Sequence, residues 1–287
     1  MKPNQQEHTL QEAKSQPIQS EKQMAHKPVV DDVNHVPSGK LKNKIALITG
    51  GGSGIGKAVA ILFAKEGAKI VINYLSGEED AMDTREIIEN YGGEALLIKG
   101  DISQETFCRQ LVETTVQHFG RIDILVNNAG TQHQTDSIQD IKTADLIRTF
   151  QVNVFAMIWI TQAAIPHMPK GSAIINTTSV TAYQGHGQLL DYSATKGAIV
   201  AFTRSLSASL VSKDIRVNGV APGPIWTPLA MNSNDPENNK HHGENTPLQR
   251  AGEPVEVAPS YLFLASKDAS YMTGQVLHPN GGSIING

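Results

Sequence analysis

The stretch Ile45-Ala46-Leu47-Ile48-Thr49-Gly50-Gly51-Gly52-Ser53-Gly54-Ile55-Gly56 decides how this chain is read. A short unbroken apolar run is the pattern of a strand covered on both faces. A glycine cluster follows it at once, and a helical pattern then runs to about Glu66. A strand, a glycine turn and a helix in that order form a cradle for a diphosphate. Glycine permits the turn and the close approach, and the helix N-terminus presents amides and favours negative charge. The spacing is Gly-x-x-x-Gly-x-Gly, not the commoner Gly-x-Gly-x-x-Gly. Gly50, Ser53, Gly54, Ile55 and Gly56 are therefore candidate contacts of a dinucleotide cofactor.

Working outward, the same alternation repeats. Ile70-Val71-Ile72, Ala95-Leu96-Leu97-Ile98, Ile124-Leu125-Val126, Ala173-Ile174-Ile175 and the run from Val217 to Val220 read as strands, with a short last one around Gln275–His278. Amphipathic helical stretches separate them, among them a long one over Ala144–His167 and one starting near Tyr192. Buried strands alternating with helices predict an α/β fold, a doubly wound parallel sheet of Rossmann-like type. Residues 41–287 are read as one domain. Residues 1–40 are rich in Gln, Lys, Glu, His and Pro and too poor in large apolar side chains to offset the entropy of ordering them. They predict a flexible polar N-terminal arm, the alternative being an arm packed on a neighbouring subunit.

Composition narrows the function. Apolar residues make up 39% of the 287 residues and charged ones 18%, with a formal net charge of −4. That balance gives no basic excess for nucleic acid or anionic lipid. No run reaches about 18 apolar residues, so no membrane span is expected. The single cysteine, Cys108, fits a reducing compartment, and the segment before Leu41 has no secretory-type apolar run. A cytoplasmic location is expected. Adjacent His241 and His242 lie on a polar segment without cysteine or a clear carboxylate partner, so a solvated loop is expected there and no metal.

The adenosine half of a dinucleotide would meet the end of the second strand, where an acidic residue commonly binds the ribose. Here Asn73 and Tyr74 stand there, with neither a carboxylate nor a cation, and Glu78, Glu79 and Asp80 follow. The expected cofactor is NAD(P), with a lean to NAD. Asp101 and Ile102 follow the third strand, where the carboxylate either accepts from the adenine amine or caps a helix.

Catalytic candidates lie downstream. Tyr192 and Lys196 are four apart at the start of a helix, hence on one face. A free phenol, with pKa near 10, is a poor base at neutral pH, and a nearby ammonium lowers that value. Ser179 ends the strand through Ala173–Thr177 at the carboxyl edge of the sheet, where such folds bind ligands, and its hydroxyl could polarise a carbonyl. Asn153 is unfavourable within a helix and points to a polar task. Asn128, Ala129 and Gly130 end strand four beside the cofactor floor. The polar segment Thr227–Arg250 is long enough to be a lid, with Ile225, Trp226, Leu229 and Met231 as apolar substrate contacts. Gln184, His186 and Leu189 are expected to face the same pocket. Trp159 sits in an apolar stripe that belongs to the core or to a subunit interface.

Together these motifs resemble the short-chain dehydrogenase/reductase family over roughly Leu41 to Gly287. The matching residues are Thr49–Gly56, Asn127-Asn128-Ala129-Gly130, the set Asn153, Ser179, Tyr192 and Lys196, and Pro222-Gly223 with Ile225 and Thr227. The polar arm resembles that of bacterial general-stress oxidoreductases. The resemblance implies hydride transfer between NAD(P) and a small-molecule carbonyl or alcohol, with Tyr192 as general acid and base. It also implies that Lys196 bonds the nicotinamide ribose, that Asn153 joins a water-bridged path to Lys196, that residues 222–227 touch the cofactor, and that four subunits assemble. The alternatives are a non-catalytic nucleotide-binding or scaffold protein on this fold, and a sugar-nucleotide epimerase or dehydratase. The intact Ser179, Tyr192 and Lys196 set speaks against the first. The short stretch after Lys196 speaks against the second.

Overall fold

A computed structural model of the chain describes residues 20–24, 26–233 and 239–285. Its centre is a seven-stranded, wholly parallel sheet: β1 (Ile45–Thr49), β2 (Lys69–Tyr74), β3 (Ala95–Lys99), β4 (Ile124–Asn127), β5 (Ala173–Thr177), β6 (Arg216–Val220) and β7 (Val276–Leu277). The spatial order is β3-β2-β1-β4-β5-β6-β7. Strand order therefore reverses between β1 and β4, and the carboxyl ends of those two strands open a crevice. The helices are α1 (Gly54–Lys65), α2 (Glu78–Asn90), α3 (Glu105–Phe119), α4 (Thr143–Phe150), α5 (Ala156–Ala164), α6 (Thr181–Gln184), α7 (Leu190–Leu210), α8 (Pro228–Ser233) and α9 (Pro254–Ala265).

The central strands read as continuous apolar runs because both of their faces are covered. Ala46, Ile48, Ile70 and Ile72 meet α1 and α9 on one side, in a cluster with Phe63 and Tyr261. Leu47, Val71, Leu125 and Ile174 meet α3 and α5 on the other, with Leu111 and Ile160. Full burial of one such side chain contributes roughly 1.5–3 kcal/mol. Buried amides then fix the alignment of strands that apolar contact alone would leave free to slide. Asn127 donates to Asn176 Oδ1 at 2.9 Å, and Asn176 donates to Thr203 Oγ1 at 2.9 Å, tying β4, β5 and α7 together. No helix among the described residues is long and apolar enough to cross a membrane.

Two features depart from the sequence reading. The helix expected over Ala144–His167 is interrupted by a π-helical turn at Gln151–Phe155. Residues 20–40, expected to hang free, lie on the core where they are described, whereas residues 1–19 fall outside the described residues. Composition misleads here because the arm binds through its polar groups. The Glu66 carboxylate, fully buried at the end of α1, accepts from the amides of Ser38 and Lys40 at 3.2 and 2.8 Å and from His35 Nε2 at 2.8 Å. These donors hold its carboxyl below the usual value of 4.5, against the opposing effect of burial. Its stabilising effect is then complete above that value and is lost as pH falls through the lowered one. Glu66→Gln is expected to cost about 2 kcal/mol in urea unfolding at pH 7, with the gap to wild type narrowing below pH ~4. An equal deficit at both pH values would refute the carboxylate's role.

Candidate functional site

The crevice between β1 and β4 widens into a cavity of about 860 Å³. It runs from Tyr74, Leu75 and Ser76 past the glycine turn to Ser179, Tyr192 and Lys196. The turn is held on several sides. Thr49 Oγ1 accepts from the amides of Asn128 and Ala129 at 3.0 and 3.1 Å. Asn128 Nδ2 donates to the carbonyls of Thr49 and Gly50 at 3.1 and 3.2 Å, and Thr84 Oγ1 donates to that of Gly52 at 3.2 Å. A Cβ on Gly56 would stand 2.1 Å from the Gly50 carbonyl oxygen, and one on Gly50, at φ +63°, would stand 2.9 Å from Ala129 Cα. Gly50 and Gly56 thus have no room for side chains of their own, which keeps the turn tight beside the cavity.

Of the expected cofactor contacts, Gly50, Ser53, Gly54, Ile55, Asn73, Tyr74, Asp101, Ile102, Asn128, Ala129, Gly130, Tyr192, Lys196, Pro222, Gly223, Ile225 and Thr227 all line this cavity. Gly56 sits behind it, against Gly50. Two of the lining side chains have other engagements. Asn73, almost fully buried, donates to the carbonyls of Ile98 and Gly100, which leaves Tyr74, Leu75 and Ser76 to face the ribose end. Asp101 pairs with Arg148 at 2.9 Å and accepts from the Ser103 amide at 2.9 Å, and its pKa is lowered although burial opposes this.

At the other end, Ser179 Oγ accepts from the amide and the hydroxyl of Thr181, both at 3.1 Å. Its own hydrogen is left to donate, and the hydroxyl acts to lower the pKa of the Tyr192 phenol. Lys196 Nζ lies 5.3 Å from the Tyr192 ring centroid and donates to the Thr177 carbonyl at 3.0 Å. Both side chains are buried. Burial pushes the phenol up to about 12, against the lowering effect of Ser179, and pushes the Lys196 ammonium down to about 8. The lowering of the phenol expected from Lys196 is not found: loss of solvent dominates, and what opposes it comes from Ser179. Asn153 lies in the π turn, one layer behind the cavity. Its amide clamps both backbone groups of Thr131, at 2.8 and 2.9 Å, and donates to Thr195 Oγ1 at 3.0 Å.

The described parts of Thr227–Arg250 wall the substrate end, together with Gln184, His186 and Leu189. Ile225 and Leu229 line it. Trp226 does not, since its indole donates to the His26 carbonyl at 2.7 Å, and Met231 is turned into the protein. His242, expected in solvent, is turned inward. It lines the cavity with Nε2 buried and without a hydrogen-bond partner, and burial lowers its pKa. Its neighbour His241 pairs with Glu244. Gln132, Gln134, Gln188 and Asn245 also line the cavity and were not foreseen. They carry no motif, and only the fold brings them together.

Residues 50–283 match the protein family described as Enoyl-(Acyl carrier protein) reductase. The chain is 50% identical over 270 residues to the NADPH-dependent aldehyde reductase 1, chloroplastic, of Arabidopsis thaliana, covering 92% of this chain and 94% of that one. It is 49% identical over 260 residues to the glucose and ribitol dehydrogenase of Daucus carota, covering 88% and 89%. Among solved structures, a short chain dehydrogenase from Burkholderia cenocepacia J2315 in complex with NADP is similar. Its TM-score is 0.80 at 32% identity, over 85% of this chain and 98% of that one.

Proposed function

Because this chain belongs to the short-chain dehydrogenase/reductase family and is an oxidoreductase of that family, we propose that Tyr192 is its general acid and base and that Ser179, Lys196 and Asn153 complete the catalytic set. The observation that carries this reading is the buried Ser179, Tyr192 and Lys196 cluster at one end of a cavity that runs past a tight glycine turn. Bound NAD(P) would supply or accept the hydride. The turn at residues 50–56 would hold its diphosphate, Tyr74 to Ser76 its adenosine ribose, and residues 128–130 and 222–227 its nicotinamide half.

In the reductive direction Ser179 donates to the substrate carbonyl oxygen, and the Tyr192 hydroxyl delivers its proton to that oxygen as the hydride arrives. The Lys196 ammonium, fixed by the Thr177 carbonyl, stabilises the phenolate that remains. In the oxidative direction the phenolate removes the alcohol proton. Asn153 acts as a positioning residue through the Thr131 backbone and Thr195. Gln132, Gln184, His186, His242 and Asn245 give the substrate end a polar, largely uncharged wall. That wall suits a small hydroxylated aldehyde, or the corresponding polyol, as the relatives' names also suggest.

For the cofactor we favour NAD, because residues 73–80 include no Lys or Arg to hold a 2′-phosphate. The relative named for NADPH and the NADP-bound neighbour speak for the other choice. The enzyme is placed in the cytoplasm, which the lone buried Cys108 fits. It is taken to be a homotetramer, because Ile147, Phe155 and Ile158 are exposed along the outer side of α4, the π turn and α5. Light scattering should give four chain masses for the wild type and a smaller assembly for Phe155→Asp; a wild-type monomer would refute this.

Tyr192→Phe should lower kcat about 10³-fold while NADH binding, read by fluorescence titration, stays within about threefold. Undiminished turnover on an aldehyde panel would sink the proton role, and NADPH binding at least tenfold tighter than NADH would sink the cofactor preference. Since Lys196 loses its proton near pH 8 in the free protein, kcat/KM for the reduced dinucleotide should fall as pH rises through about 8. The phenol, at about 12, stays protonated there. A profile flat to pH 10 would show that the ammonium is not required.

A further inference from the structure

The arm makes a contact that the chemistry above does not use. Ser20 and Glu21 are anchored on the first turn of α2: Ser20 Oγ donates to Asp80 Oδ1 at 2.7 Å, and the Glu21 amide donates to Asp80 Oδ2 at 2.9 Å. From there the Glu21 side chain, 8% exposed, reaches under the glycine turn. Its Oε1 accepts from the Gly54 amide at 2.6 Å, and its Oε2 meets Lys57 Nζ at 3.0 Å. Lys57 also meets Asp83 at 2.6 Å. Burial pushes the Glu21 carboxyl up, while Lys57 and the Gly54 amide pull it down.

An α-helix begins with amides that have no partner within the helix, and a side chain at the N-cap commonly takes one. In α1 the N-cap residue is Ser53, whose backbone is extended but whose side chain makes no capping bond. Glu21 takes that place from 33 residues away. Gly54 stands at φ +54°, and its other side faces Thr227, where an added Cβ would lie 3.1 Å from Cγ2. The Gly54 peptide is thus gripped by the arm on one side and bounded on the other by a residue that lines the cavity.

The arm's hold extends to the far wall. The His26 carbonyl accepts from the Trp226 indole at 2.7 Å, and the Val29 amide donates to Glu253 Oε2 at 2.8 Å. Trp226 lies between Ile225 and Thr227, which both line the cavity. The described residues between Ser20 and Val29 therefore grip both the glycine turn and the base of the segment after β6.

We propose that Glu21 is a positioning residue for the dinucleotide, holding the Gly54 peptide so that the following amides of α1 point at the diphosphate. This rests on the cofactor reading above. A carboxylate so close to a diphosphate would repel it were Lys57 not paired with it. Geometry and charge therefore predict opposite effects when Glu21 is removed, which makes the two separable.

Calorimetric titration of the full chain with NADH and with ADP, and competition by adenosine, test the proposal on wild type, Glu21→Ala and Glu21→Gln. Glu21→Ala should weaken NADH and ADP about tenfold and leave adenosine within about twofold. Glu21→Gln, which keeps an acceptor for the Gly54 amide, should stay within about threefold of wild type for all three. Unchanged or tighter ADP binding in Glu21→Ala, or an equal loss for adenosine, would overturn the proposal. Amide exchange in the ligand-free protein reads the same contact directly. Gly54 should exchange at least tenfold faster in Glu21→Ala than in wild type, and an unchanged rate would also overturn the proposal. Wild-type protein that binds neither ADP nor NADH would instead defeat the cofactor reading, and the exchange result would stand apart from it.

Discussion

The architecture depends on how closely the end of β1 is joined to the end of β4. The Thr49 hydroxyl takes two amides from the β4 loop, and the Asn128 amide returns two bonds to the β1 turn. Gly56 can lie against the Gly50 carbonyl only because it has no side chain. These short polar contacts draw together two strands that belong to opposite halves of the sheet. The crevice between them is therefore a fixed shape, not a gap that a ligand must open. Preorganisation of this kind puts the cost of ordering the turn into folding and spares binding from it.

The redox end follows a different logic. There the fold removes water from a phenol and an amine at once, and the two pKa values move apart, the phenol up to about 12 and the ammonium down to about 8. Loss of solvent disfavours both charged forms, so the ligand-free site favours a neutral phenol beside an amine that gives up its proton easily. The Ser179 hydroxyl, oriented by Thr181, and the Lys196 amine, oriented by Thr177, leave few other ways for the site to satisfy its hydrogen bonds.

How much of this was legible in the sequence follows the distance over which each feature is encoded. Ile45–Ile48 and Ile70–Ile72 announced buried strands because burial on both faces leaves an unbroken apolar run. The glycine turn was legible because backbone geometry restricts residue choice locally, and Tyr192 with Lys196 because one helical turn separates them. Long-range polar pairs left no trace. Nothing near Asp101 indicates Arg148, and nothing near Gly54 indicates Glu21. The inward turn of His242 was hidden for the same reason, since a loop histidine looks alike in solvent or in a cavity. The arm was misjudged because its composition is that of a disordered segment, and composition does not register a few well-placed acceptors such as Glu66 and Glu253.

The π turn at Gln151–Phe155 acts as a phase adjuster. Each residue of an α-helix advances the side-chain direction by about 100°. Asn153 must face the Thr131 loop, while Thr161, eight positions on, must face Asn127 in β4. A widened turn admits one extra residue and lets these two faces be aligned independently. Length, more than side-chain identity, is then the guarded property of this segment: shortening it by a single residue would swing Thr161 and the whole apolar stripe of α5 away from the sheet while leaving every motif in the sequence intact.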